Sequence, residues 1–417
     1  MTVGPLSNLL RERPIVITGV GCSSAAGNSV ASLWDAAMDG KSLATWREFQ
    51  IAGCMQRFAV SAAPELDATD PDLHSVRRMD RCVQLAWLSA REAWSQSGLD
   101  GISSRAKIGV IVGSSRGPTA RIEQAFKRID TPRYPPSLSA DCTFGSLSGA
   151  LAQVLNVGGP TATVSATCAS GAYAIGLAAE QILLGKADIM IAGGTETPLQ
   201  TVALAQLQAA GVLGSHKNPQ MACRPFDVTR NGLALGEGSA FLILESACSA
   251  AQRGAPALAQ LSGWSTCIDH SGRAGVTHDG SGLVEAAGQA LRLAGLSPDR
   301  IGHVNLHGTG TRLNDLAEAR AIGSIFGSYA SKLPCISSKP VTGHCLGATP
   351  AMEAVLAVET LGRQIVPPTA NCEELDPECA INLVREAALP TRLEHVMSNS
   401  LGFWGYHASL IFSKPNA

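Results

Sequence analysis

The chain has 417 residues, a length that allows one large or two medium domains with a substantial core. Hydrophobic residues make up 45% and charged residues only 16%, the balance of a compact, heavily buried protein rather than a disordered one. A formal net charge of −2 leaves no electrostatic case for a nucleic-acid partner.

Met1 to Arg13 lack the basic-then-apolar pattern of a secretory signal. The run Pro14–Gly21 is apolar, β-branched and stopped by glycines, which predicts the first strand. A helical pattern follows over Asp80–Gln96, then strand-like runs at Ile108–Gly113 and Thr161–Ser165. Gly171–Leu184 reads as a helix with almost no polar face, followed by strand-like runs at Asp188–Gly193 and Ala240–Glu245. Small residues and Arg253-Gly254-Ala255-Pro256 interrupt the pattern between Cys248 and Gln260, which divides the chain into halves 14–255 and 256–417. The second half brings a helix over Leu283–Ala294, strands at His303–Leu306 and Cys335–Ser337, and a second apolar helix over Leu346–Leu361.

Alternating strands and helices predict an α/β fold. A helix that is apolar nearly all round must be buried on several sides, so it lies between layers. Two such helices, one per half, suggest a duplicated unit folded face to face into five layers, α-β-α-β-α. No apolar run reaches membrane-spanning length, so no membrane span is expected. The twelve cysteines are scattered, with no CxxC pair and no Cys/His cluster, which points to free thiols in a reducing cytoplasm.

Chemistry concentrates in three short segments. Cys168, in Ser165-Ala166-Thr167-Cys168-Ala169-Ser170-Gly171, stands between a strand and the opening of the first apolar helix. A turn there exposes the side chain, and a helix N-terminus favours negative charge on it, so the thiol is expected to ionise near neutral pH. Backbone N–H groups at the same turn can stabilise an oxyanion. His307 ends a strand and enters Gly308-Thr309-Gly310-Thr311, a loop too rich in glycine to serve packing. His344 follows Gly343 at the mouth of the second apolar helix, with Lys339 shortly before it, directly after a buried strand. One thiol, two imidazoles and an amine are what acyl transfer followed by carbon–carbon bond formation requires.

These motifs, in this order, resemble the active site of the elongating β-ketoacyl-acyl-carrier-protein synthases, condensing enzymes of the thiolase-fold superfamily. Arg224-Pro225-Phe226-Asp227 and Gly236-Glu237-Gly238 match further landmarks, and the likeness runs from Ile15 to Phe412. The resemblance implies an acyl chain held on Cys168 and a decarboxylative condensation with malonyl-acyl-carrier protein. His307 and His344 would then be neutral donors to the enolate, and Lys339 an electrostatic anchor acting with Glu318. Thr309 and Thr311 would hold the phosphopantetheine arm, and Phe403 belongs to the loop beside the site. A monovalent cation near Asn305, Glu353 and Asn399 is implied by the same likeness, with no cofactor beyond the carrier's phosphopantetheine. The partner would be an acidic acyl carrier protein docking on Arg77 and Arg78, with Lys127 and Arg128 beside them. A homodimer is expected, with a heterodimer containing a related subunit as the alternative.

Two departures bear on substrate. The family's Gly-Phe-Gly-Gly-Thr-Asn loop reads Gly402-Phe403-Trp404-Gly405-Tyr406-His407 here, with Trp404 replacing a glycine. Arg116 stands where the family has glycine or an apolar residue lining the acyl pocket, so it is either paired internally or faces a polar, unsaturated or short acyl chain. Two other readings remain open: acyl transfer or cyclisation by Cys168 without malonyl extension, and a non-catalytic partner subunit. The intact Cys168 opposes the second.

Overall fold

The computed structural model describes residues 5–415 except 68, 103, 131–133, 271 and 274. The first half contributes strands β1 (Ile15–Ser23), β2 (Ile108–Gly113), β3 (Thr161–Val164), β4 (Ile189–Glu196) and β5 (Gly238–Ser246). The second contributes β6 (Ala259–Ile268), β7 (His303–Asn305), β8 (Pro334–Ile336), β9 (His395–Gly402) and β10 (Tyr406–Ser413). The lateral order is β3-β2-β4-β5-β1 in the first half and β8-β7-β9-β10-β6 in the second, the same order with every index raised by five. The two sheets join edge to edge where β1 pairs antiparallel with β6, Val16 opposite Gln260 and Ile17 opposite Ala259. The short strand Asn382–Leu383 extends the far edge beyond β8.

Among the described helices are α1 (Arg81–Gln96), α2 (Gly145–Leu155), α3 (Ser170–Leu183), α4 (Thr201–Ala209), which packs on the strand Thr45–Ile51 rather than on these sheets, α5 (Ser281–Ala294), α6 (Arg312–Phe326) and α7 (Thr349–Arg363). On one outer face α1 packs on β1, β5 and β4, with α2 beside it. On the other, α5 packs on β6 and β10, with α6 against α5. Between them, α3 and α7 touch each other and strands of both sheets. The five layers expected from two helices without a polar face are therefore present, and those helices fill the middle one. Their close approach depends on Gly171, where a Cβ would stand 2.9 Å from Ala351 N.

Local chemistry explains the boundaries. Asp80, placed inside the first helix by its pattern, is instead the N-cap of α1, its carboxylate accepting from Cys82 N at 2.9 Å. The apolar run Leu346–Leu361 divides into a 3-10 turn, Leu346–Ala348, and α7. Pro350 sits in the first turn of α7, where its missing N–H costs nothing. A hairpin of Thr45–Ile51 and Cys54–Ser61, with Leu235–Gly236 beside it, forms a small separate sheet that the sequence reading passed over. The helix Thr119–Phe126 has no buried residue, and Phe126, Ile129, Tyr134 and Phe144 are exposed around it. Strand β3 closes one end of the large sheet, and its residues are exposed or only half-buried.

Candidate active site

Cys168 is displayed by a tight elbow between β3 and α3. Thr167 takes a left-handed backbone (φ 51°), a conformation costing an L-residue roughly 1–2 kcal/mol. Hydrogen bonds hold it there. Ser170 Oγ donates to Thr167 O at 2.6 Å and accepts from Ala166 N at 2.9 Å, while Thr167 Oγ1 donates to Phe403 O at 3.2 Å. The Phe403 N–H in turn donates to the Cys168 thiol. Phe403 thus anchors the C-terminal loop to the elbow.

The thiol is buried, and burial pushes it up to about 12. Lys339 and Arg116 pull it down and Glu196 opposes them, but desolvation is the largest effect. The expectation of a thiol ionised near neutral pH is therefore corrected: the layers close over the helix N-terminus, and loss of solvent outweighs the favourable dipole.

His307 follows β7, and its own N–H and that of Gly308 donate to the two oxygens of Glu318 at 2.7 and 2.8 Å. His344 is held by its N–H to Ala234 O at 2.8 Å and by Nδ1 against Thr349 Oγ1 at 3.0 Å. The rings stand edge to face, centroids 5.3 Å apart at 83°. Both imidazoles are held well below their usual range, burial first and the nearby Lys339 charge second, so both are neutral at pH 7. Lys339 is fully buried, and its Nζ donates to Glu353 Oε1 at 2.6 Å. Glu318 is not the direct partner of the amine, but the Lys339 charge still draws its carboxyl down against burial. Both Glu318 oxygens are taken by backbone N–H groups, and Glu353, on the face of α7, meets the amine. Burial lifts Glu318 to about 8 and Glu353 to about 7.

A cavity of about 390 Å³ brings Cys168, His307 and His344 together, with Thr309, Thr311 and Phe403 in its wall. Thr309 and Thr311 pair through their hydroxyls at 2.9 Å. Arg116 and Trp404 lie outside the wall of this cavity, although the Arg116 charge reaches the Cys168 thiol. The Arg116 guanidinium is hydrogen-bonded to Gln206 on α4, and its Nε is buried without a partner. Trp404 is 55% exposed, with Arg273 over its ring at 5.7 Å. Arg77 and Arg78 are exposed, and neither forms a salt bridge among the described residues; Lys127 pairs with Glu123 at 2.8 Å, and Arg128 is exposed. Behind the cavity, Asn305 Oδ1 and Nδ2, Glu353 Oε2 and Asn399 Nδ2 are buried without partners. Of these, Asn305 Oδ1 and Glu353 Oε2 are oxygens that suit a hard monovalent cation, whereas Asn399 Oδ1 accepts from Ser409 Oγ at 2.9 Å.

One buried group escaped the sequence reading. Glu196 ends β4 and accepts four hydrogen bonds from the loops around the site. A carboxylate closing an otherwise apolar strand run was the signal that could have found it.

Comparison with known proteins agrees with this geometry. The Beta-ketoacyl synthase N-terminal domain family matches residues 12–250, and its C-terminal domain family matches residues 258–373. A putative polyketide beta-ketoacyl synthase 1 of Streptomyces cyaneus is 34% identical, over 97% of this chain and 98% of that protein. A 3-oxoacyl-[acyl-carrier-protein] synthase 2 of Coxiella burnetii is 35% identical, over 97% of this chain and 99% of that protein. A solved type II polyketide acyl-carrier protein in complex with its ketosynthase, bound to the hexaketide, superposes with a TM-score of 0.87 at 28% identity, covering 97% of this chain and 100% of that one. A duplicated five-layer fold, a buried thiol facing two neutral imidazoles and full-length similarity to such relatives together mean that this chain belongs to the β-ketoacyl synthase family.

Proposed function

We propose that the chain catalyses decarboxylative condensation of an acyl group held on Cys168 with malonyl-acyl-carrier protein. The observation that carries this is the single cavity in which a buried thiol faces two neutral imidazoles. In the loading step a neutral imidazole takes the Cys168 proton as the sulfur attacks the thioester of the acyl carrier, then passes that proton to the carrier's sulfur, which leaves as a thiol. In the second step malonyl loses CO2, and the enolate carbon attacks the acyl thioester. The bond to Cys168 breaks, the sulfur takes a proton from solvent to regain its resting thiol, and β-ketoacyl-carrier protein departs. His307 and His344 donate to the enolate oxygen, and the burial of both rings strengthens those bonds. Lys339 keeps both rings neutral and is itself held by Glu353, while Glu318 fixes the backbone of His307 and Gly308. Phe403 donates its N–H at the reacting sulfur, and Thr309 with Thr311 meets the pantetheine amides. A monovalent cation behind the site would be held by Asn305, Glu353 and Asn399 and would offset the Glu353 charge.

The division into halves 14–255 and 256–417 places the nucleophile in one and the histidines in the other. The acyl carrier protein docks on Arg77 and Arg78, its acidic surface meeting exposed guanidinium groups. A second chain covers the open β3 edge and the apolar side chains around Phe126 and Phe144, as a homodimer or with a related ketosynthase-like subunit. No described helix is long and apolar enough to cross a membrane. The scattered free thiols fit work in the reducing cytoplasm. Arg116, whose buried Nε lacks a partner on the loop after β2, acts from outside the cavity wall to favour polar, unsaturated or short acyl chains over long saturated ones, in fatty-acid or specialised polyketide-type synthesis.

Intact-protein mass spectrometry after incubation with acyl-carrier proteins, together with CO2 release from malonyl-carrier protein, tests the reading. Wild type should gain the acyl mass, and Cys168→Ala should gain none. His344→Ala should load yet lose about 10²–10³ in decarboxylation rate. A Cys168→Ala enzyme that condenses at a near-normal rate would overturn the assignment.

A further inference from the structure

Glu196 plays no part in the reaction proposed above, yet four donors converge on its buried side chain. Ser114 Oγ and the Arg116 N–H reach Oε1, each at 3.0 Å; the Ser115 N–H reaches Oε2 at 2.6 Å and the Gly347 N–H at 3.1 Å. Ser114–Arg116 follow β2, whereas Gly347 lies just beyond His344 and next to Leu346, which lines the cavity. One carboxylate therefore ties the loop carrying Arg116 to the segment carrying His344. Gly347 makes room for the tie, since a Cβ there would stand 2.5 Å from Ser115 N and 2.8 Å from Glu196 Oε2. Its charge is balanced by backbone dipoles and a hydroxyl, the Arg116 guanidinium being turned to Gln206.

We propose that Glu196 is a positioning residue for the reaction at Cys168: its carboxylate locks the Arg116 loop against the His344 segment. The proposal rests on the reading of Cys168 as nucleophile. The same charge reaches the nucleophile: beside burial, the larger cause, Glu196 pushes the Cys168 thiol up against the pull of Lys339 and Arg116. The thiols of Cys82 and Cys345 also face this charge, and both are raised by burial, so they stay neutral around it. Burial lifts Glu196 itself to about 7. The lock is thus complete above that pH and is released as pH falls through it, when a protonated oxygen turns a donor towards groups that already donate.

The test uses the full chain and three variants: Glu196→Gln, Glu196→Asp and Gly347→Ala. The rate of iodoacetamide capture at Cys168 is followed between about pH 6 and 9, beside acyl loading and CO2 release. Removing the charge in Glu196→Gln should move the capture profile down by about half a pH unit or more, and Glu196→Asp should restore it. Condensation per loaded enzyme should fall about tenfold in Glu196→Gln while loading persists. Gly347→Ala breaks the tie from the other side with the charge intact, so condensation should drop with no shift in the profile. A Glu196→Gln profile that superposes on wild type, or undiminished condensation in Gly347→Ala, overturns the proposal. If Glu196→Gln does not fold, Gly347→Ala alone decides between a lock and none. Failure of wild type to load would instead remove the reading of Cys168 on which it rests.

Discussion

Cys168 is kept in a form that is slow to react until something takes its proton. Burial pushes the thiol up to about 12, and the imidazoles beside it are neutral and able to accept that proton. Thiolate should therefore remain a minor species throughout the working range. The rate of iodoacetamide capture should rise about tenfold per pH unit from about pH 6 to 9 with no plateau; a plateau near neutrality would mean that the sulfur is less buried than described. Lys339 and Glu353 make the opposite case, a fully buried pair in which the amine draws the carboxyl down against its burial, so that Glu353 is mostly ionised only above about 7. Lys339→Ala leaves Glu353 buried and uncompensated, and should cost about 3–5 kcal/mol in chemical denaturation. It should also free the histidines from the neighbouring charge that, with burial, holds them neutral, and so raise their titration towards the usual imidazole range.

At the scale of elements, the middle layer decides how closely the thiol and the histidines meet. Helices α3 and α7 approach through Gly171, so Gly171→Val should push Ala351 away and destabilise the fold by about 1–3 kcal/mol, measured by denaturant unfolding. A stability within about 0.5 kcal/mol of wild type would show that the helices can separate freely. This layer was legible in the sequence because two helices without a polar face admit few arrangements, and the elbow was legible from a strand run meeting one of them. The partner of Lys339 was not. Glu318 lies closer along the chain to the histidine loop, but the choice of Glu353 depends on which face of α7 turns towards the amine, and that is fixed only by packing. The raised thiol was hidden for a related reason: a helix N-terminus can be read from sequence, whereas the depth at which it is buried depends on strands from the other half. The exposed helix Thr119–Phe126 has no apolar periodicity turned towards the chain's own core, so nothing in its pattern placed it.

For the molecule as a whole, the buried carboxylates give stability a definite pH slope. Glu318 titrates at about 8 and Glu353 at about 7 when folded, both above the ordinary 4.5. Between those values the folded chain keeps protons that the unfolded chain has released, so their contribution is full below about 4.5 and is lost as pH rises through about 7 to 8. The neutral histidines act the other way, costing stability only below about 6.5, where the unfolded chain takes up protons. Above pH 6.5 the carboxylate slope stands alone, and Tm should fall from about pH 6.5 to 8. Glu318→Gln should flatten that fall, even if it lowers Tm throughout; an unchanged slope would place the proton elsewhere. The seam between the sheets has a further consequence. Val16 meets Gln260 across it, and α3 is covered only when α7 arrives from the far end of the chain. A ribosome that has delivered just the first half has therefore made a strand edge and an apolar helix with nothing to close them. The thiol can meet its histidines only after the second half is made, and until then the newborn chain exposes an apolar helix of the kind that invites aggregation.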